Sequence, residues 1–228
     1  MSAFESYLRT MLSRLISFDE YARFVVERKT VTFGAAMHHK ADQLPDALLE
    51  GTSFASRDNI KDALKEYLRL KPQDVPDIDK PLKDFQRICE MRHCCVHRFG
   101  RLGSNNAITL GLANHSNLLD ASILLDIDQL QAILLSLRIL VRTINTNLFT
   151  AIIERTTISE IKDERFPFSY PVKWTWRWPS DRARFRRYYA LFSSNDVASP
   201  SPDEQLVYKS FRDESLRRLR PSRASRTP

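Results

Sequence analysis

The sequence predicts an all-α fold, a bundle of about five helices that ends near residue 158. Apolar residues recur at the three- and four-residue spacing of amphipathic helices through most of this region. The strongest pattern runs from Asp126 to Glu154 and predicts one helix of about 28 residues, long enough to span the bundle. Only two short pieces favour β-structure, so we expect a short strand pair at most, Ile108–Leu110 with Ile123–Leu125.

Each of the earlier helices has a start signal of its own. A capping-box pattern at Ser17 predicts that a second helix starts there, and Ser56 is a candidate cap for the third. Asp79 opens the fourth helix, which is expected to end at Gly100. The predicted core positions of the first helix are Phe4, Tyr7, Leu8, Met11, Leu12, Leu15 and Ile16.

An aromatic and basic extension, residues 159–192, follows the predicted bundle of residues 1–158. Its tryptophans occupy every second position, and this period of two predicts a short strand. Alternating tryptophans can stack on bases, but we favour the interpretation that they pack on the bundle. A helix is expected after them, ending at Phe192. The tryptophans are Trp174, Trp176 and Trp178.

The last segment, residues 193–228, is predicted to be a flexible Ser/Pro-rich linker and a basic tail, with one helix around Leu206–Leu219. Residues 1–154 hold equal numbers of basic and acidic side chains, so the whole formal charge of +7 lies beyond them. A neutral body with a basic end is typical of proteins that bind an anion, most commonly nucleic acid. A solvated tail that improves solubility explains the charge equally well.

Composition excludes several classes of protein. No glycine-rich phosphate-binding loop is present among only 5 glycines, which excludes a P-loop NTPase and a dinucleotide-binding domain. We expect neither a membrane span nor a signal peptide, because polar or charged residues interrupt every candidate segment. The three cysteines form no disulfide framework and indicate a reducing, cytoplasmic setting. They are Cys89, Cys94 and Cys95.

Candidate chemistry lies at the end of the fourth helix, where the sequence reads Arg92-His93-Cys94-Cys95-Val96-His97. This segment resembles the R-x(4–6)-H motif of the HEPN superfamily. Its place after several helices and before one long helix resembles that family as well, over residues 1–155. The resemblance implies a HEPN-like domain that dimerises and whose paired motifs form a metal-independent ribonuclease site.

The resemblance also implies roles for individual residues. Arg92 and His97 would be catalytic, and His93 would be the polar residue that follows the arginine. A histidine with a pKa of about 6.5 can take a proton from a 2′-hydroxyl, and an arginine fork matches a phosphate. Because five helical positions correspond to about 140° of rotation, one chain presents the two groups poorly, which favours a site shared by two chains.

Other interpretations of this segment stay open. Arg92 can instead pair with an acidic neighbour while His97 caps the helix. Arg87 and His93 match the same motif pattern. Cys89, His93 and His97 lie on one helix face, where a pair four residues apart can chelate zinc, but Cys89 and His97 would be about 12 Å apart and cannot share an ion. We therefore predict no metal site and no cofactor.

Basic residues near the motif and in the extension are candidates for binding RNA phosphates. Those in the extension could equally bind an acidic protein. The candidates are Arg98, Arg101, Arg182, Arg186 and Arg187.

These observations predict a cytoplasmic, homodimeric endoribonuclease that cleaves RNA by attack of the 2′-hydroxyl. The resemblance implies a bacterial defence or toxin–antitoxin role, with an antitoxin or a defence-system protein as a partner. One alternative is a non-catalytic HEPN-type module that binds RNA, a nucleotide or a protein. Another is a helical adaptor that docks through its basic tail.

Overall fold

The computed structural model describes residues 2–157, 174–194, 196–197 and 199–219. These residues form ten α-helices and no strand, which confirms the predicted all-α helical bundle. The helices are α1 (Ser2–Phe18), α2 (Glu20–Val26), α3 (Phe33–His38), α4 (Leu44–Leu49), α5 (Arg57–Leu68), α6 (Asp79–His97), α7 (Ser104–His115), α8 (Ile127–Arg155), α9 (Trp178–Phe192) and α10 (Glu204–Leu219).

The chain divides into two compact units, Met1–Asn147 and Leu148–Pro228, and the division falls within α8. In the first unit α1 packs on α2 and α4, while α5 packs on α2 and α6. The ring of Phe4 lies 4.7 Å from that of Phe85 in α6. Six of the seven predicted core positions of α1 are buried, because their spacing follows one helix face.

Helix starts agree with the sequence signals in part. Ser56 caps α5, since its hydroxyl accepts the Asn59 N–H at 3.1 Å. The prediction that Ser17 caps the second helix is wrong. Ser17 still belongs to α1, and the carboxylate of Asp19 caps α2 by accepting the Ala22 N–H at 2.7 Å.

The predicted strand pair is absent from the described residues. Ile108–Leu110 lies inside α7, and the Ile123–Leu125 segment makes only an isolated bridge next to it, between Arg101 and Ser122. Helix forms at the first segment because it buries Ala107 against α6, which outweighs a weak local β-preference.

The second unit is built around Trp174, whose indole N–H donates to the Thr156 hydroxyl at 2.9 Å. The predicted tryptophan strand is wrong, since the segment before α9 is a turn. Asp181 in α9 accepts both the N–H and the hydroxyl of Thr175 at 3.0 Å, which holds this turn against the helix. Trp174 stacks on Trp176 at 6.5 Å, so these tryptophans pack rather than form a strand face.

Helix α10 confirms the helix predicted around residues 206–219, and it packs within the second unit. Tyr208 and Phe211 are buried, and the ring of Phe211 lies 5.1 Å from that of Trp174. The Tyr208 hydroxyl donates to Asp181 at 2.7 Å. Residues 158–173 and 220–228, which contain the predicted boundary and the end of the tail, lie outside the described residues.

Replacing Tyr208 tests this packing. Tyr208→Ala is expected to destabilise the second unit by about 3–5 kcal/mol, because it opens a cavity and removes a hydrogen bond from Asp181. The three tryptophans of the chain all lie in this unit, so their fluorescence in a urea titration reports its unfolding. The control Leu206→Ala, at a 62% exposed position, changes stability by less than about 0.5 kcal/mol. Equal midpoints for the two variants would contradict the packing.

Candidate functional site at the end of helix α6

Helix α6 presents the Arg-His motif on its last turns. Its earlier turns bury Leu82, Phe85 and Ile88 in the core, which fixes the rotation of the helix. Five of the six side chains of the motif are consequently exposed, and three of these are the predicted site residues. They are Arg92, His93 and His97.

The C-terminal end of α6 is held by Cys94. Its carbonyl accepts two N–H groups, those of Arg98 and Gly100, both at 3.0 Å. The chain reverses here through left-handed backbone at Phe99 (φ 53°) and Gly100 (φ 78°). The Cys94 side chain is fully buried in a small apolar cluster, so both its carbonyl and its side chain secure the helix end. The cluster contains Cys94, Leu102 and Ala107, with Leu110 and Ile123 packed against it.

A buried polar network attaches α7 to α6. The Asn106 amide, 4% exposed, donates to one carboxylate oxygen of Glu90 at 2.6 Å, and Gln86 donates to the other at 2.6 Å. The Gln86 carbonyl oxygen in turn accepts the Arg57 N–H of α5 at 2.9 Å. Three helices are therefore joined just before the motif.

The two histidines of the motif lie side by side. The ring centroids of His93 and His97 are 4.8 Å apart, with an interplanar angle of 49°. Neither imidazole has a hydrogen bond or ion pair with another described residue, and the same holds for the Arg92 guanidinium. The acidic partner for Arg92 that the structural alternative requires is thus not found in the described part of the chain.

Cys89 does not take part in a metal site with these histidines. Its side chain is buried, and this burial is the main reason why the pKa of the thiol is raised to about 12. A protonated thiol is a poor ligand. No group of three or more potential ligands is found among the residues that the structure describes.

The predicted phosphate-binding arginines fall into both units. Arg98 is beside the motif and pairs with Asp120 at 3.2 Å, while Arg101 is exposed. The other three lie on α9, where Arg186 pairs with Glu204 at 2.9 Å and its pKa is raised by that hydrogen bond. Arg182 and Arg187 are exposed and pair with no other described residue.

Many apolar side chains are exposed in the motif, in α7, in the loop after it and in the first half of α8, and our sequence analysis did not predict their exposure. We call this set of side chains the α7–α8 face. No residue between Ile127 and Ile139 of α8 is buried, and Phe99 at the end of the motif is 99% exposed. The face comprises Val96, Phe99, Ile108, Leu112, Leu118, Leu119, Leu124, Leu125, Ile127, Leu130, Leu134, Leu135 and Ile139.

Helix α8 is long and apolar enough to cross a membrane by length and composition. The mean hydropathy of its most apolar 18-residue window is 1.3, and 22% of that window is buried. A core helix of a soluble protein passes the same test, so composition alone is weak evidence of a span.

One cleft of this unit lies away from the motif. Its volume is about 540 Å³, and its lining includes Lys61, Lys65 and Lys71 over an apolar floor of Leu64 and Val75. None of its lining residues belongs to the motif, so it does not supply a cavity for Arg92 and His97.

Comparisons with protein-family models, curated proteins and solved structures find no match for this chain. The resemblance to the HEPN superfamily therefore rests on the motif and its helical setting, and it stays a hypothesis.

The polar network predicts a specific effect at Asn106. Asn106→Ala is expected to lower stability by about 1.5–3 kcal/mol, because a carboxylate oxygen of Glu90 loses its hydrogen-bond donor. The control Asn105→Ala, at the exposed neighbouring position, changes stability by less than about 0.5 kcal/mol. Urea unfolding followed by circular dichroism measures both. A neutral Asn106→Ala would show that the network does not secure α7.

Proposed function

We propose that this chain is a metal-independent endoribonuclease whose active site forms when two copies bring their Arg92 and His97 side chains together. The observation that carries the proposal is the exposure of these groups, without partners among the described residues, on a helix end that buried groups hold firmly. Unpaired guanidinium and imidazole groups on a firmly held helix end are available for phosphate chemistry.

The proposed reaction uses the RNA's own 2′-hydroxyl. His97 takes the proton of that hydroxyl, and the freed oxygen attacks the adjacent phosphorus. Arg92 stabilises the negative charge that develops on the phosphate oxygens. The bond from phosphorus to the 5′-oxygen breaks, and that oxygen takes up the proton that the His97 imidazole had accepted. The products are a 2′,3′-cyclic phosphate and a 5′-hydroxyl. His93, 4.8 Å from His97 between ring centroids, contacts the same phosphate region.

A second copy would complete the site from the α7–α8 face. Exposed apolar side chains in this number favour an interaction site. In a two-fold dimer the same patch contacts itself, so the motifs that border it approach one another. An obligate dimer of this type buries upwards of about 2,000 Å² in total.

RNA would be held by arginines around the paired motifs. Arg98 and Arg101 follow the motif directly, and Arg182, Arg186 and Arg187 of α9 add positive charge in the second unit. A cytoplasmic role in bacterial defence or as a toxin with an antitoxin partner follows from the resemblance alone, and it belongs to the same proposal.

Substitution of the motif tests catalysis. Arg92→Ala and His97→Ala are each expected to lower the rate of RNA cleavage by about 10²–10⁴-fold, because each removes a group that acts in the transition state. Cleavage by the unmodified chain should survive EDTA and leave 2′,3′-cyclic phosphate ends. Mass spectrometry of the products identifies these ends.

Arg87→Ala is the matched control, since Arg87 lies on the same helix, is exposed and also stands six residues before a histidine. It should retain full activity. RNA binding without cleavage by the unmodified chain would favour the non-catalytic module, and loss of cleavage in EDTA would favour a metal enzyme.

The α7–α8 face predicts the oligomeric state. Light scattering should give about twice the chain mass of 26.5 kDa. Leu134→Glu should dissociate the dimer and abolish cleavage, because it places a charge on the apolar contact. Met37→Glu, at a position that is also 62% exposed but lies on α3, should leave the dimer intact.

Mixing two inactive variants tests more directly whether two chains share each active site. If each site takes Arg92 from one chain and His97 from the other, a mixture of Arg92→Ala and His97→Ala chains regains activity in its mixed dimers. A monomer that cleaves RNA at the full rate would refute the shared site.

A further inference from the structure

The paired histidines of α6 have the geometry of a metal chelate. His93 and His97 are one helical turn apart, so their side chains leave the same face of the helix. Their ring centroids lie 4.8 Å apart, and both rings are exposed. Because neither ring has a hydrogen bond with another described residue, no protein contact has to be broken when the rings turn.

Imidazole is a preferred ligand of zinc and of its neighbours among the first-row transition metals. At a Zn–N distance of about 2.0–2.1 Å, tetrahedral geometry places two ligating nitrogens about 3.3 Å apart. Small rotations of two exposed side chains bring rings with centroids 4.8 Å apart to that separation. The helix backbone beneath them does not need to move, since Cys94 between them is fully buried.

We propose that His93 and His97 together chelate a divalent transition-metal ion of the zinc type. Two imidazoles occupy two of the four positions of a tetrahedral ion, and water takes the others.

This site would regulate the proposed ribonuclease, and that consequence rests on the proposed function. A metal ion binds the lone pair of the His97 imidazole that would otherwise accept the 2′-hydroxyl proton. The ion therefore inhibits a reaction that needs no metal, and a chelator restores it. Zinc would act as an inhibitor and not as a cofactor.

Calorimetric titration of the metal-free full chain with Zn²⁺ tests the chelate directly. The chain is expected to bind at most one ion, and His93→Gln and His97→Gln should each weaken binding by about tenfold or more. Cys95→Ser removes the exposed thiol between the histidines, and His115→Gln removes a histidine of α7. Both controls should keep the affinity of the unmodified chain. Circular dichroism verifies that every variant is folded.

The possible outcomes separate this inference from the proposed function. Undetectable Zn²⁺ binding, unchanged binding by His93→Gln, or loss of binding by Cys95→Ser would each overturn the chelate. If Zn²⁺ binds through both histidines but the chain cleaves no RNA, the chelate stands and the ribonuclease proposal fails. If both hold, Zn²⁺ inhibits cleavage by the unmodified chain, and EDTA reverses the inhibition.

Discussion

The burial of Cys94 determines how α6 presents every other residue of the motif. With Cys94 directed into its cluster, a rotation of 100° per residue places Arg92 about 160° away, on the opposite side of the helix. The same rotation puts His93 and His97 within about 40° of each other, as their adjacent rings show. The spacing along the helix also separates Arg92 from His93 by about 100° and from His97 by about 140°, which is why one chain does not focus all three on one phosphate.

The same constraint connects the motif to the exposed apolar face. The cluster around Cys94 includes Leu102 and Ala107, and it packs against Ile123 just before α8. Backbone hydrogen bonds reinforce this connection, since the Ile123 N–H donates to the Gly100 carbonyl at 2.7 Å. Helix α8 therefore starts beside the end of α6, and its unburied first half lies in the same unit as the motif. A partner bound to that face would at the same time reach Arg92 or the histidines, whereas a lipid bilayer would offer no second arginine or imidazole.

Sequence patterns predicted the long helices well, because α1, α5, α6 and α8 each show several turns of regular spacing. Helices α3 and α4 have six residues each, which is too few for a periodic signal. The tryptophan alternation misled us because a turn held by Asp181 produces it as readily as a strand does. The motif residues were singled out from the sequence. The sequence did not predict that Arg92, His93 and His97 have no hydrogen-bond or ion-pair partner among the described residues. Periodicity shows that a helix face is apolar and does not distinguish burial within one chain from burial between two.

The arginines of α9 show why net charge alone is a poor measure of affinity for RNA. Arg186 pairs with Glu204, and Arg218 pairs with Glu154 at 2.9 Å, so part of the C-terminal excess is neutralised within the second unit. Exposed pairs of this kind contribute little to stability, because solvent screens them. An RNA phosphate releases counterions when it binds an arginine, and this gain competes with so weak an ion pair. The pair with Glu204 therefore does not prevent Arg186 from binding RNA. The same reasoning applies to Arg98, which is exposed next to the motif and pairs with Asp120. These acidic partners would instead make binding selective, because a ligand with little negative charge cannot displace them.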